Sequence, residues 1–137
     1  MQLYLITLLS AKNRIYPFTS KLIVPETGNP STDSDLCVIF SNLLENAVEA
    51  CMHMTDGKRF IQLNSSLQSQ LFTITMDNSF NGTVIKYGDR FRSTKRNDFG
   101  IGLASVQAIA HESQGGTEFK TENNVFLSSV YLRLQKS

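Results

Sequence analysis

Residues 35–53, Asp-Leu-Cys-Val-Ile-Phe-Ser-Asn-Leu-Leu-Glu-Asn-Ala-Val-Glu-Ala-Cys-Met-His, decide the reading of this chain. At about 100° per residue, Leu36, Ile39, Phe40, Leu43, Ala47, Ala50 and Cys51 gather on one side of a helix. Asn42, Asn46, Glu49 and His53 fall in a narrow stripe on the opposite side, stacked closely enough to act on one ligand. Asparagine is a poor helix former because its amide competes for backbone hydrogen bonds. Two of them one turn apart point to a task beyond folding, although a solvated polar face explains this helix alone equally well. An Asn carbonyl oxygen is a neutral ligand that suits a hard cation whose other ligands are phosphate oxygens and water. A carboxylate in its place would bind the ion harder and repel the phosphates.

Around this helix, 137 residues with 41% hydrophobic content suit one compact domain, residues 1–137, with a real core. Thirteen Lys and Arg against twelve Asp and Glu give a net charge of +1, so bulk charge offers no reason to expect nucleic acid or a membrane surface as partner. Cys37 and Cys51 share the helix at a separation of roughly 21 Å, whereas a disulfide needs Cα atoms within about 7 Å. Two buried thiols in a reducing compartment are expected instead. No CxxC or His/Cys cluster suggests structural zinc. The apolar N-terminus lacks a basic leader, its charges Lys12 and Arg14 following the apolar run, so a packed helix is expected there rather than a signal peptide.

Along the chain, residues 2–12 predict a helix, Pro17 bars its continuation, and 18–24 predicts a strand. Thr32 and Asp35 form a capping pair ahead of the Asn helix, which Asp56-Gly57 ends. Residues 59–64 and 70–76 alternate and predict a hairpin over Ser65-Ser66. In the second strand Phe72, Ile74 and Met76 face one way, while Leu71, Thr73, Thr75 and Asp77 face the other. Residues 83–98 show no periodicity but carry Lys86, Arg90, Arg92, Lys95 and Arg96, as a functional or mobile loop would. Phe99-Gly100-Ile101-Gly102 opens a helix to about Glu112, ended by Gly115-Gly116, and a second hairpin turns over Glu122-Asn-Asn124. The order predicts an α+β sandwich, a mixed sheet with helices on one face.

Gly100-x-Gly102 at a helix start can cradle a phosphate, since glycine admits an anion to the backbone and the first helical N–H groups are unsatisfied. An ordinary loop-to-helix turn would read the same way. The third glycine of a dinucleotide fingerprint is missing, and there is no Gly-Lys-Ser/Thr of a Walker A loop. Asp77 at a strand end would accept from the amino group of adenine and repel the carbonyl of guanine; a simple turn-forming Asp-Asn pair is the plainer alternative.

The order of these parts is more specific than any one of them. Asn42-Leu-Leu-Glu-Asn46-Ala resembles the N box, Asp77-Asn-Ser-Phe-Asn-Gly82 the G1 box and Gly100-Ile-Gly102-Leu103 the G2 box of the ATP-binding catalytic domain of sensor histidine kinases, in the GHKL ATPase superfamily. Asn-Leu-Leu-Glu-Asn-Ala-Val-Glu-Ala, and Ser93-Thr-Lys95 before the G2 box, are most similar to the peptide-sensing, quorum-type kinases of Gram-positive bacteria. The resemblance implies a Bergerat-type two-layer sandwich that binds ATP and Mg²⁺. On it Asn46 ligates the metal and Asn42 faces the same cleft, with Lys95 meeting the γ-phosphate from a lid. Asp77 and Gly82 then border the adenine, and Gly100, Gly102 and Leu103 border the phosphates.

Three departures stand out. Asp98 replaces a glycine of the G2 box, Glu49 replaces a basic residue, and Asn42 stands where ATP-hydrolysing branches carry a Glu, so slow hydrolysis is expected. Neither His53 nor His111 lies in a phosphoacceptor sequence. The expected partners are therefore a dimerisation domain carrying the acceptor histidine, of whose connection residues 1–16 could be a remnant, and a response regulator. The expected setting is the cytoplasmic side of a membrane receptor. An anti-sigma-type serine kinase and a non-catalytic nucleotide-binding module are the alternatives.

Overall fold

The computed structural model describes residues 18–23, 25, 27–82, 85–87, 90–92 and 101–134. The helix predicted over residues 2–12 lies outside them. In chain order the elements are β1 (Phe18–Lys21), α1 (Pro30–Met52), β2 (Ile61–Gln68), β3 (Leu71–Ser79), β4 (Ile85–Tyr87), β5 (Arg90–Arg92), α2 (Ile101–Glu112), β6 (Gly116–Glu122) and β7 (Val125–Arg133).

The main sheet has the order β1-β2-β3-β7-β6, with β1 parallel to β2 and every other pair antiparallel. Ser65, buried in β2, extends the first pairing: its hydroxyl donates to Ile23 O at 2.8 Å and accepts from Ile23 N at 2.9 Å. Because Ser65 and Ser66 belong to the strand, the hairpin turns later, at Ser69-Gln70, with Ser69 at φ 58°. The second hairpin turns over Asn123-Asn124, as the sequence predicts. Part of the segment read as a loop forms a two-stranded ribbon, β4 with β5.

α1 begins earlier than the Thr32–Asp35 pair suggests. Asn29 is the N-cap, its Oδ1 accepting from Ser31 N (2.9 Å) and Thr32 N (3.2 Å). Pro30 follows at the first helical position, where a missing N–H costs nothing. At the other end Arg59 donates to the carbonyls of Cys51 and Met54, satisfying groups the last turn leaves open.

Both helices lie on one face of the sheet. Leu36, Ile39, Phe40, Leu43, Leu44, Ala47, Val48 and Cys51 of α1 meet Leu63, Phe72, Ile74, Met76 and Val130 below and Leu103, Val106 and Ala110 of α2 beside them. Phe40 sits edge-on to Phe72 at 6.4 Å between ring centres. Cys51 is buried here but Cys37 is exposed, contrary to the expectation of two buried thiols; both are free. The α+β architecture, a mixed five-stranded sheet layered with helices, is the one the sequence implies.

Candidate functional site

α2 runs back along α1 and covers only part of it. The start of α2 meets the middle of α1, where Asn42 Nδ2 donates to Gly102 O at 3.3 Å. The end of α2 reaches the first turn of α1, where Ile109 and Glu112 share a groove of about 340 Å³ with Thr32 and Asp35. That groove lies at the opposite end of the helical layer from Asn46. The second half of α1 thus continues past the start of α2 and comes down over the end of β3, where Cys51 Sγ lies 3.4 Å from Ser79 Oγ. Burial pushes the Cys51 thiol up from its ordinary value, against the opposing influence of Ser79, the Phe60 carbonyl and Arg59, so it remains an uncharged core group.

The space between this half of α1 and the start of α2 is the candidate site. Asn42, Asn46 and Glu49 line its wall. They stand roughly opposite the apolar side of α1, yet all three are half-buried, whereas His53 at the helix end is exposed. A merely solvated face would be exposed throughout. Among the described residues no group of three or more His, Cys, Asp or Glu could hold a metal ion.

Gly102 touches this wall directly: a methyl built on it would lie 3.6 Å from Asn42 Cβ, an ordinary contact. Leu103 is buried in the core next to it. Lys95 and Gly100 lie outside the described residues.

The floor departs from the sequence expectation. In β3 the residues alternate, and Asp77 pairs across the sheet with Gln62 and Leu127, Leu127 in turn with Lys120. These occupy the face away from the helices. Burial raises the Asp77 carboxyl above its ordinary 3.8, with Lys120 pulling it down. Asp77 is thus not brought together with Asn42, Asn46 and Gly102, because a strand offers alternate residues to opposite faces.

The residue on the helix face is Asn78, 1% exposed and flanked across the sheet by Ile61 and Phe126. Its Nδ2 donates to Ser79 O at 3.0 Å, and its Oδ1 has no hydrogen-bond partner among the described residues. The loop beyond is fixed by Phe80, whose N–H donates to Asn124 O at 3.0 Å and whose ring meets Phe126 edge-on. Gly82 follows at φ 87°, a left-handed conformation that favours glycine, beside Asn124.

Comparison with known proteins bears on the family and the fold. The GHKL domain family matches residues 32–133. No curated protein sequence matches the chain. Among solved structures, the fold is similar to the Erythrobacter litoralis EL346 blue-light activated histidine kinase, with a TM-score of 0.73 and 12% identity over 97% of this chain and 40% of that one. It is similar to the Acinetobacter baumannii histidine kinase AdeS, with a TM-score of 0.67 and 12% identity over 98% of this chain and 64% of that one. It is also similar to the catalytic domain of the histidine kinase ThkA, with a TM-score of 0.69 and 18% identity over 96% and 88%. The chain therefore spans less than two thirds of the first two kinases and nearly all of the isolated ThkA domain. With the family matched over residues 32–133, which include every strand of the main sheet except β1 and nearly all of both helices, and the polar stripe of α1 set against the start of α2, this chain belongs to the GHKL domain family.

Proposed function

We propose that this domain binds Mg·ATP between the second half of α1 and the start of α2 and presents the γ-phosphate to a histidine on a separate dimerisation domain. The observation that carries the reading is the half-buried polar stripe, with the Asn42 amide held on the carbonyl of Gly102 at 3.3 Å. That bond joins the amide wall to the helix start and leaves Asn42 Oδ1 for a phosphate-side water. Asn46 holds Mg²⁺ through its amide oxygen, and the ion, when bound, offsets charge on the phosphates. The first N–H groups of α2 face the same space and favour an anion there. Lys95 approaches the γ-phosphate from the segment before α2.

The amides of Asn42 and Asn46 cannot act as a general base, so in this reading positioning and charge neutralisation account for the activity. The acceptor imidazole then supplies its own nucleophilic nitrogen. Asn42-Leu-Leu-Glu-Asn46-Ala-Val-Glu-Ala and Ser93-Thr-Lys95 support a place among peptide-sensing, quorum-type kinases, with a response regulator downstream and a receptor in the membrane. No helix among the described residues is long and apolar enough to cross a membrane.

Transfer of the γ-phosphate from labelled ATP to an added dimerisation domain tests the proposal. An acid-labile phosphoprotein that disappears with Asn46→Ala is expected. An acid-stable product would indicate serine as acceptor, and no transfer with ATP bound would leave a nucleotide-binding module.

A further inference from the structure

Among the described residues, Asn78 on the helix face of β3 has a buried side-chain oxygen without a hydrogen-bond partner, and nothing in the arrangement described so far uses it. We propose that Asn78, rather than Asp77, reads the adenine base, its Oδ1 accepting a hydrogen bond from the exocyclic amino group; the inference rests on the nucleotide reading of the cleft.

The orientation of the amide is determined by its neighbour. Ser79 O can only accept, so the group 3.0 Å from it must be the NH₂ of Asn78, and the atom left over is the carbonyl oxygen. That oxygen is buried, 1% of the residue being exposed, and has no donor among the described residues. A buried acceptor without a partner is disfavoured in a folded domain and marks a place where a donor is to arrive. Strand parity points the same way. Asn78 continues the Phe72, Ile74, Met76 series that faces the helices, and it adjoins Ser79, on which the second half of α1 rests through Cys51. Asp77 continues the opposite series, beside Lys120.

The chemistry fits adenine better than guanine or hypoxanthine. A fixed carbonyl oxygen accepts from the amino group at position 6 of adenine and is repelled by the carbonyl there in the other two. The uncharged amide also avoids bringing a carboxylate into a dry pocket near a polyphosphate.

Calorimetric titration of the chain with the magnesium complexes of ADP and IDP tests this, since the two bases differ chiefly at position 6. Wild type is expected to prefer ADP by about tenfold or more. Asn78→Leu should reduce that preference to within about twofold while Asp77→Asn keeps it. Thermal melting verifies that each variant is folded, and Asn78→Ala serves as a smaller replacement should the leucine not fit. A preference that survives the Asn78 variants, or is lost in Asp77→Asn, overturns the assignment while the nucleotide reading stands. If wild type binds neither nucleotide, the reading of the cleft itself has failed.

Discussion

Replacing Gly102 and Gly115 with alanine, one at a time, separates a glycine kept for function from one kept for packing. A methyl at position 102 would meet Asn42 Cβ at 3.6 Å and Asn42 Cγ at 3.7 Å, both ordinary contacts, and φ there is not positive. With no clash to overcome, Gly102→Ala restricts the unfolded chain and should stabilise the domain by about 0.4–1 kcal/mol. For a domain of this size that is a rise in Tm of about 1–4 °C. Gly115 is the opposite case. Its methyl would stand 1.7 Å from Tyr131 O and 2.6 Å from Tyr131 C, both backbone atoms of β7. The strand would have to withdraw from the end of α2, and overpacking of that kind costs about 3 kcal/mol or more. A fall in Tm of about 6–12 °C is expected.

Thermal unfolding, followed by titration of the folded variants with Mg·ADP, provides the assay. Gly102→Ala should melt at or above wild type yet bind nucleotide more weakly, because the added methyl falls on the Asn42 amide at the wall of the cleft. If Gly102→Ala instead destabilises the domain as Gly115→Ala does, Gly102 is a packing glycine and its place in a phosphate cradle loses support.

Other consequences are independent of this pair. Asp77 titrates above its ordinary 3.8 because burial disfavours its charge. The stability tied to its protonated form is thus complete below the unfolded value and lost as pH rises through the raised folded one. Asp77→Asn should therefore melt higher than wild type at pH 7, with the gap closing below pH 3.8, as differential scanning calorimetry would record. Arg59→Ala removes the donors to Cys51 O and Met54 O and should cost about 1–3 kcal/mol in urea unfolding, with Arg59→Lys recovering only part because a single ammonium lacks the planar fork. Asn78→Leu removes a buried oxygen that has no partner among the described residues but also the Nδ2 donor to Ser79 O, and should lower stability in urea by about 1 kcal/mol or less because the two effects oppose each other.

The fold was legible because periodicity reports burial. The apolar side of α1, the alternation of β3 and the turn at Asn123-Asn124 all follow from spacing alone. Boundaries were less legible where a local hydrogen bond competes with a familiar signal. Asn29 outcompetes Thr32 as cap because Pro30 pre-sets the first turn, and Ser65 sits in a strand because its hydroxyl serves Ile23.

The amide stripe of α1 was visible in the sequence, and the structure sets Asp77, expected beside it, on the other face of the sheet. The sequence showed Asp77 in phase with Thr73 and Thr75, away from the core series, and that parity outweighs the chemical attraction of a carboxylate. What spacing could not convey is that Asn78 Oδ1 is buried without a donor among the described residues, since this depends on how Ser79 O, Ile61 and Phe126 surround it. The helix end offers a similar case. Gln114, not glycine, takes the left-handed position at φ 63°, and Gly115 is needed for its approach to Tyr131.

The central claim is that amide oxygens of α1 and the start of α2 hold one magnesium-bound nucleotide. Calorimetric titration of wild type and Asn46→Ala with ATP, each with and without Mg²⁺, addresses it most directly. Wild type should bind more tightly when Mg²⁺ is present, and Asn46→Ala should bind with an affinity the ion no longer changes. Equal magnesium dependence in both proteins, or no binding by wild type, would contradict the claim.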